Sequence, residues 1–209
     1  MKNALLALTL LISASPLFAQ APAAAAARTY TITDDGKNYA TFESEATLET
    51  IKGTTTRVSG TIVADPANTN TSSAAITVDL SAIDTGIAMR NEHMRGAKFL
   101  DTEKFQTATF KTVSVAGPKS VAPNQPVELS LTGDFTLHGV TKRITVPVRV
   151  VVIPESELTK GSRGPGDWIH GTVTFALKLT DYSITVPEKL VLKLANDVNV
   201  KVDFFAVAR

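Results

Sequence analysis

Val127–Val152, VELSLTGDFTLHGVTKRITVPVRVVV, is the stretch whose reading decides the fold. Through Leu137 one row of side chains is Val127, Leu129, Leu131, Gly133, Phe135 and Leu137, interleaved with Glu128, Ser130, Thr132, Asp134 and Thr136. Beyond Leu137-His138-Gly139-Val140 the alternation resumes as Ile144, Val146, Val148, Val150 and Val152 against Arg143, Thr145, Pro147, Arg149 and Val151. A side-chain period of two belongs to an extended strand with one buried and one wetted face. The His-Gly pair then marks a tight turn between two such strands. Pro147 cannot donate to a ladder, so it predicts a sheet edge or a bulge at that point.

The same period recurs on both sides of this stretch. Val173, Phe175, Leu177 and Leu179 share one face of 172–180, and Val198, Val200, Val202 and Phe204 share one face of 198–204. Weaker alternation predicts strands over 29–33, 39–49, 58–63, 75–80 and 107–115. Turns fall at Asp65-Pro66, Gly117–Pro126 and Gly161–Asp167. Strands with one polar face each must enclose a common interior, and they leave no surface for an outer helical layer. The expected class is all-β, with about eight or nine antiparallel strands closed as a barrel or a two-sheet sandwich. One segment departs from the pattern. Arg90–Leu100 (RNEHMRGAKFL) does not alternate, and with Asn91 as N-cap it predicts a short helix over about 91–98 that closes one barrel end.

The N-terminus reads as an address. Lys2, the apolar run 4–17 and Leu17-Phe18-Ala19 form a secretory signal peptide over residues 1–19, too short and wrongly flanked for a membrane span. Residues 20–28 are an Ala/Pro-rich linker with no face to bury, and the barrel domain occupies 29–209. The expectation is a soluble protein, periplasmic or secreted after cleavage, without stable membrane insertion.

Composition narrows the function. The chain has 209 residues, 44% of them hydrophobic and 20% charged, too apolar for intrinsic disorder. Its net charge of +1 gives no electrostatic reason to expect nucleic acid as a partner. The absence of cysteine removes disulfides, thiol nucleophiles, cysteine-rich zinc sites and a lipid-modified N-terminal Cys together. The three histidines, His93, His138 and His170, lack metal-ligand spacing, so no metal is expected.

Charged groups concentrate in the predicted helix: Arg90, Glu92, His93, Arg95 and Lys98, followed by Asp101. They suit an anion site near a helix N-terminus, or polar anchors fixing the helix to the barrel mouth; the second reading is the simpler. His93 with Glu92 or Asp101 would make an acid–base pair, but no serine with nucleophile-elbow context lies nearby and adjacent helical residues do not face each other. No catalytic residue is therefore assigned. His138 reads as a turn residue, His170 as a surface residue beside Trp168, and Glu43, Glu45 and Glu49 as a solvated strand face. Gly161–Gly166 (GSRGPG) lacks the strand–helix context of a phosphate loop. What remains is the interior, which at about eight strands is either filled by side chains or holds a ligand.

The stretch Ser81–Phe110 resembles the bacterial YceI-like family, described as lipocalin-like polyisoprenoid-binding proteins. The elements are Ile83-Asp84-Thr85-Gly86, Arg90-Asn91-Glu92-His93-Met94-Arg95, Phe99-Leu100-Asp101, Phe105 and Thr109-Phe110. Gly133-Asp134-Phe135-Thr136-Leu137-His138-Gly139-Val140-Thr141-Lys142 and Val58-Ser59-Gly60-Thr61-Ile62 extend the resemblance over the whole domain. It departs at Gln106, where the family usually has Pro, and in the acidic stretch 42–53. The resemblance implies a lipocalin-like antiparallel barrel with a long apolar cavity, closed by the helix at 91–98. It implies an isoprenoid, quinone or similar amphiphile as ligand, no other cofactor, and it allows a homodimer. The inward residues expected to line such a cavity are Phe42, Ile76, Val78, Phe110, Leu131, Phe135, Ile144, Val146, Phe175, Leu177, Val200 and Phe204. Arg90, His93, Arg95 and Lys98 are the head-group candidates. The rival readings are a structural or stress-related barrel with a filled core and a hydrolase using His93.

Overall fold

The computed structural model describes residues 27–208, so the expected signal peptide (1–19) and most of the expected linker lie outside the described residues. Ten strands follow in chain order: β1 (Arg28–Ile32), β2 (Tyr39–Glu45), β3 (Thr50–Thr55), β4 (Val58–Ala64), β5 (Ser73–Asp79), β6 (Thr107–Ala116), β7 (Pro126–Leu137), β8 (Val140–Ile153), β9 (Asp167–Lys178) and β10 (Asp197–Ala208). Helix α1 (Ala88–Arg95) joins β5 to β6, and α2 (Glu157–Arg163) joins β8 to β9. All pairings are antiparallel, in the order β1-β4-β5-β6-β7-β8-β9-β10-β2-β3, and β1 also meets β10 where Thr31 faces Val207.

β10 therefore takes β2 along Asn199–Asp203 and β1 near its C-terminus. β1 and β2 are two halves of one stave, and β4 and β3, paired with them in turn, are halves of the next. The ten strands thus form a closed eight-stave barrel of the expected class. Asn38 makes the handover between β1 and β2 possible. It is buried, its Nδ2 donates to the Thr33 carbonyl at 2.8 Å, and its Oδ1 accepts from the Phe205 N–H at 2.8 Å. The side-chain amide replaces ladder bonds that the interrupted stave cannot make.

The β7–β8 hairpin follows the alternation residue for residue. Leu137 pairs with Val140 across His138 and Gly139, whose φ angles of 50° and 73° are those of a type I′ turn. Pro147 faces Ser130 of β7, and the β8–β9 ladder begins only at Val148, so Pro147 stands where β8 is an edge.

Three expectations are corrected. The strand expected over 39–49 ends at Glu45; the Ala46 N–H donates to the Glu49 carbonyl at 2.9 Å, and the chain returns as β3. Leu48 and Glu49 thereby leave the alternation. The helix expected over 91–98 spans Ala88–Arg95, with Ile87 at its N-cap position. Asn91 lies buried inside it, accepting from the Thr85 N–H and hydroxyl at 2.8 and 2.7 Å and donating to Asp84 Oδ1 at 2.7 Å. A residue type suited to capping instead clamps the preceding loop to the helix flank. Finally, α2 takes up part of the stretch read as the Gly161–Asp167 turn. Its start is a capping box, with Ser156 Oγ accepting from the Thr159 N–H and Thr159 Oγ1 accepting from the Ser156 N–H.

Strand directions sort the connections into two ends. The turns at 46–49, 80–106, 138–139 and 179–196 lie at the α1 end, and those at 65–72, 117–125 and 154–166 lie opposite. The buried residues form two clusters, one around Tyr30, Val58, Ile169 and Phe204, the other around Leu80, Ile83, Phe135, Tyr182 and Ile184 at the α1 end. Among the described residues no helix is long and apolar enough to cross a membrane.

Candidate functional site

Closing an alternating sheet on itself points one row of every strand at a common lumen. The lumen holds a cavity of about 420 Å³, within the range of about 300–1,000 Å³ usual for small-molecule sites. Phe42, Ile76, Val78, Phe110, Leu131, Phe135, Val146, Phe175, Leu177, Val200 and Phe204 lie on its wall, where alternation placed them. Ile144 does not reach it; its side chain packs in the wall against both core clusters. Met94, Phe99 and Leu100 also line the cavity. Their segment does not alternate, so period-two reasoning had no means of orienting them.

Three aromatic rings owe their position to glycines. A Cβ at Gly53 would lie 2.3 Å from Phe42 Cε1, at Gly133 2.4 Å from Phe110 Cζ, and at Gly171 2.3 Å from Phe204 Cζ. Each ring therefore lies over a neighbouring strand's bare backbone, within the wall instead of across the lumen. Phe42–Gly53 and Phe204–Gly171 are directly paired residues. Gly133 stands in the inward row of the decisive stretch, and its absent side chain is part of how the lumen stays open.

At the α1 end, Arg90, His93 and Met94 present one helical strip to the cavity, and Leu190, Lys193 and Leu194 complete the surround. Glu49, read from sequence as part of a solvated face, instead lines the cavity and pairs with Arg90 across the mouth. The approach to α1 is pinned to β3, where Thr54 and Asp84 exchange two backbone bonds of 2.9 Å. Asp84 carries the joint further: Asn91 Nδ2 and the Gly86 N–H both donate to its carboxylate, holding its pKa below the ordinary aspartate value.

The four head-group candidates separate here. Arg90 and His93 line the cavity; Arg95 turns away and donates from Nη2 to the Ile83 carbonyl at 2.8 Å; Lys98 is exposed and does not line it. Arg95 thus fits the anchoring reading. No hydrogen bond joins the His93 ring to a side chain among the described residues. The Asp101 carboxylate is taken by Lys104 Nζ at 2.9 Å, while its carbonyl accepts from the Lys104 and Phe105 N–H groups. The pairing of His93 with Asp101 weighed from sequence does not form. His138 Nδ1 meets the Tyr182 carbonyl at 3.0 Å and its ring meets Phe105 edge-on, a turn residue tied to its neighbours. His170 is half-buried, stacked on Phe205 and bonded to Asp203 at 3.0 Å. Chemically the site offers apolar contact along the lumen, with an ion pair and an imidazole at the mouth.

The model of the YceI-like domain matches residues 30–206. A UPF0312 protein of Vibrio cholerae is 34% identical over 140 residues, covering 65% of this chain and 66% of that protein, just under two thirds of its length. Protein YceI of Salmonella newport is 32% identical over 187 residues, 88% of each chain. Among solved structures, a polyisoprenoid binding domain from Saccharophagus degradans implicated in plant cell wall breakdown superposes with a TM-score of 0.65 at 20% identity, over 88% of this chain and 100% of that one. The two share the barrel fold. With the family model spanning the whole barrel, from β1 into β10, the chain belongs to the YceI-like domain family.

Proposed function

We propose that this protein is an exported lipid-binding barrel that holds a long apolar ligand, an isoprenoid, quinone or similar amphiphile, in its lumen for transport or sequestration. The observation that carries the reading is the continuous apolar cavity, kept open by rings lying over Gly53, Gly133 and Gly171. The fold shared with a polyisoprenoid binding domain supports the ligand class. Residues 1–19 support export and a periplasmic or secreted location. Binding here needs no chemistry: a five-carbon isoprene unit gains about 4 kcal/mol when buried, before ordering costs. Arg90 and His93 at the mouth receive the polar end of the ligand. His93, with no acid partner among the described residues, acts as a donor or acceptor there.

Native mass spectrometry of the protein purified from a bacterial host, with solvent extraction of bound material, tests the reading. A co-purifying polyprenyl or quinone mass is expected. Leu131→Trp and Leu177→Trp fill the lumen and should abolish that mass while circular dichroism stays that of the barrel. Full occupancy in folded Trp variants would overturn the cavity as the site.

A further inference from the structure

Beside α2 the outer face of the barrel departs from the polar pattern of its strands. Ile169 and Phe204 line the lumen, so by the strand period Trp168 and Phe205 point outward. The glycine-rich stretch 161–166, which the lumen does not use, is fastened over them. The Trp168 indole N–H donates to the Gly164 carbonyl at 3.3 Å, and the Gly166 N–H donates to the Glu155 carboxylate. The Arg163 guanidinium carbon stands 3.2 Å from the Phe205 ring centroid, and the His170 ring stacks on the same phenyl at 4.2 Å with planes 4° apart. One face cannot hold both groups, so Phe205 is sandwiched between them. Between this layer and the β1–β2 connection lies a second cavity of about 300 Å³, which shares no lining residue with the lumen.

Most polar groups on its wall are already spent. The Asn38 amide is bonded to Thr33 and Phe205, the Ser162 hydroxyl donates to the Leu158 carbonyl at 2.9 Å, and Asp35 pairs with Lys37 at 3.7 Å. The carboxylates on the surrounding segments have partners as well: Asp34 holds Arg57, Glu155 and Glu157 hold Lys160, Asp167 holds Arg28, and Asp203 holds the His170 ring. No excess of one charge marks the pocket. What marks it is Arg163, which lines it half-buried with neither a carboxylate nor a hydrogen-bond acceptor among the described residues. Stacking on Phe205 occupies the face of the guanidinium and fixes its position. Its N–H groups lie in the plane, open to take an oxyanion side-on as a two-point fork. We infer that this outer pocket is a second binding site, for a small organic acid whose carboxylate or phosphate takes the Arg163 fork and whose apolar body lies against Trp168. Lys37, held only loosely by Asp35, brings a second cation to the oxyanion. The site is independent of what the lumen holds.

Trp168 is the single tryptophan of the chain, so its fluorescence reports on this pocket without a label. The wild type, Arg163→Gln and Lys37→Gln are titrated with benzoate, phenyl phosphate and the neutral benzamide. Benzoate and phenyl phosphate should each change Trp168 emission saturably, at concentrations at least about tenfold below those benzamide needs. A response to one acid alone supports the site and assigns its oxyanion as planar carboxylate or tetrahedral phosphate. Arg163→Gln should weaken the acids at least about tenfold and leave benzamide unchanged. Lys37→Gln, at an exposed position outside the α2 packing, should weaken them by about two- to threefold. The inference is overturned if neither acid gives a saturable response, if benzamide binds as tightly as the acids, or if Arg163→Gln binds them like the wild type. Should Arg163→Gln lose the circular dichroism of the barrel, Lys37→Gln decides, and unchanged acid affinity there overturns the site.

Discussion

At the end opposite α1, the connections are joined main chain to main chain. The Val121 N–H donates to the Pro66 carbonyl at 2.8 Å, the Thr69 N–H to the Lys119 carbonyl at 2.9 Å, and the Asn124 N–H to the Val152 carbonyl at 2.8 Å. At the α1 end main-chain bonds tie Leu48 to Leu192 and Thr54 to Asp84, but the helix is held over the mouth chiefly by side chains: the Glu49–Arg90 pair, the Asn91 clamp, and rings from Phe99, Phe135 and Tyr182. Backbone ties are indifferent to which side chains surround them and resist opening as a unit. Side-chain contacts open one rotamer at a time, and a half-exposed ion pair contributes little to stability, about 0–1 kcal/mol. On the proposed function, the difference makes the α1 end the expected entrance and the opposite end, whose Pro66, Thr69 and Val121 also line the cavity, the expected floor.

The largest expected effect tests that asymmetry directly. Phe135 is buried, edge-on to Phe175 and Tyr182 with ring centroids 5.5 Å away in each case. Phe135→Ala should cost about 3–5 kcal/mol in chemical denaturation. Val121→Ala, a buried truncation at the floor, should cost only about 1.5 kcal/mol, the transfer value of the lost methyl groups. Equal losses would mean that both ends are held the same way and would break the comparison.

A smaller effect is expected between the ends, in the wall. Gly171→Ala places a methyl group 2.3 Å from Phe204 Cζ, so the ring must shift, and the lumen is the space expected to take it. The strain should cost about 1–3 kcal/mol, and ligand capacity should fall with the lost space. Adding Phe204→Leu should restore capacity. If Gly171→Ala binds as well as the wild type, ring placement does not set the bore, and the ends alone govern access.

Much of this was legible in the residues, and the boundary of legibility has a physical cause. Alternation reports side-chain direction wherever both faces of a strand differ, so β7, β8 and all of the inward row but Ile144 were readable. It fails once the chain turns: Leu48 and Glu49 continue the pattern on paper, yet they sit in a turn, one exposed and one at the cavity mouth. Asn91 misled because its side chain satisfies a loop three-dimensionally close and a helix turn away, which cap statistics do not register. Ser156 and Thr159 did carry a start signal for α2, but with Thr where the box usually has Glu or Gln, within a stretch dominated by Gly and Pro. Gly133 was visible in the inward row, whereas its partner Phe110 lies on another strand, and only register brings the two together.

The smallest expected effect separates the ends by pH. Asp84 holds the loop before α1, and Glu155 accepts from the Gly166 N–H beside α2; hydrogen bonds from Asn91 and Gly86 in the first case, and from Gly166 and Lys160 in the second, hold both carboxyls below their ordinary values. A depressed pKa means that the unfolded chain binds more protons, so each group adds stability above its unfolded pKa, about 3.9 for Asp and 4.3 for Glu, that disappears as pH falls through the lower folded value. Both groups are exposed, so the effect is a modest shift in the acid limb of the melting curve. Its location is the sharper readout. Asp84→Asn should raise amide exchange in α1 at neutral pH and leave α2 unchanged, and Glu155→Gln should do the reverse. The difference between Asp84→Asn and wild type should close only as pH falls below the ordinary aspartate range, where Asp84 itself becomes protonated in the folded protein. If either substitution loosened both helices equally, the two ends would be coupled through the barrel wall, and ligand entry at α1 would have to deform the floor as well.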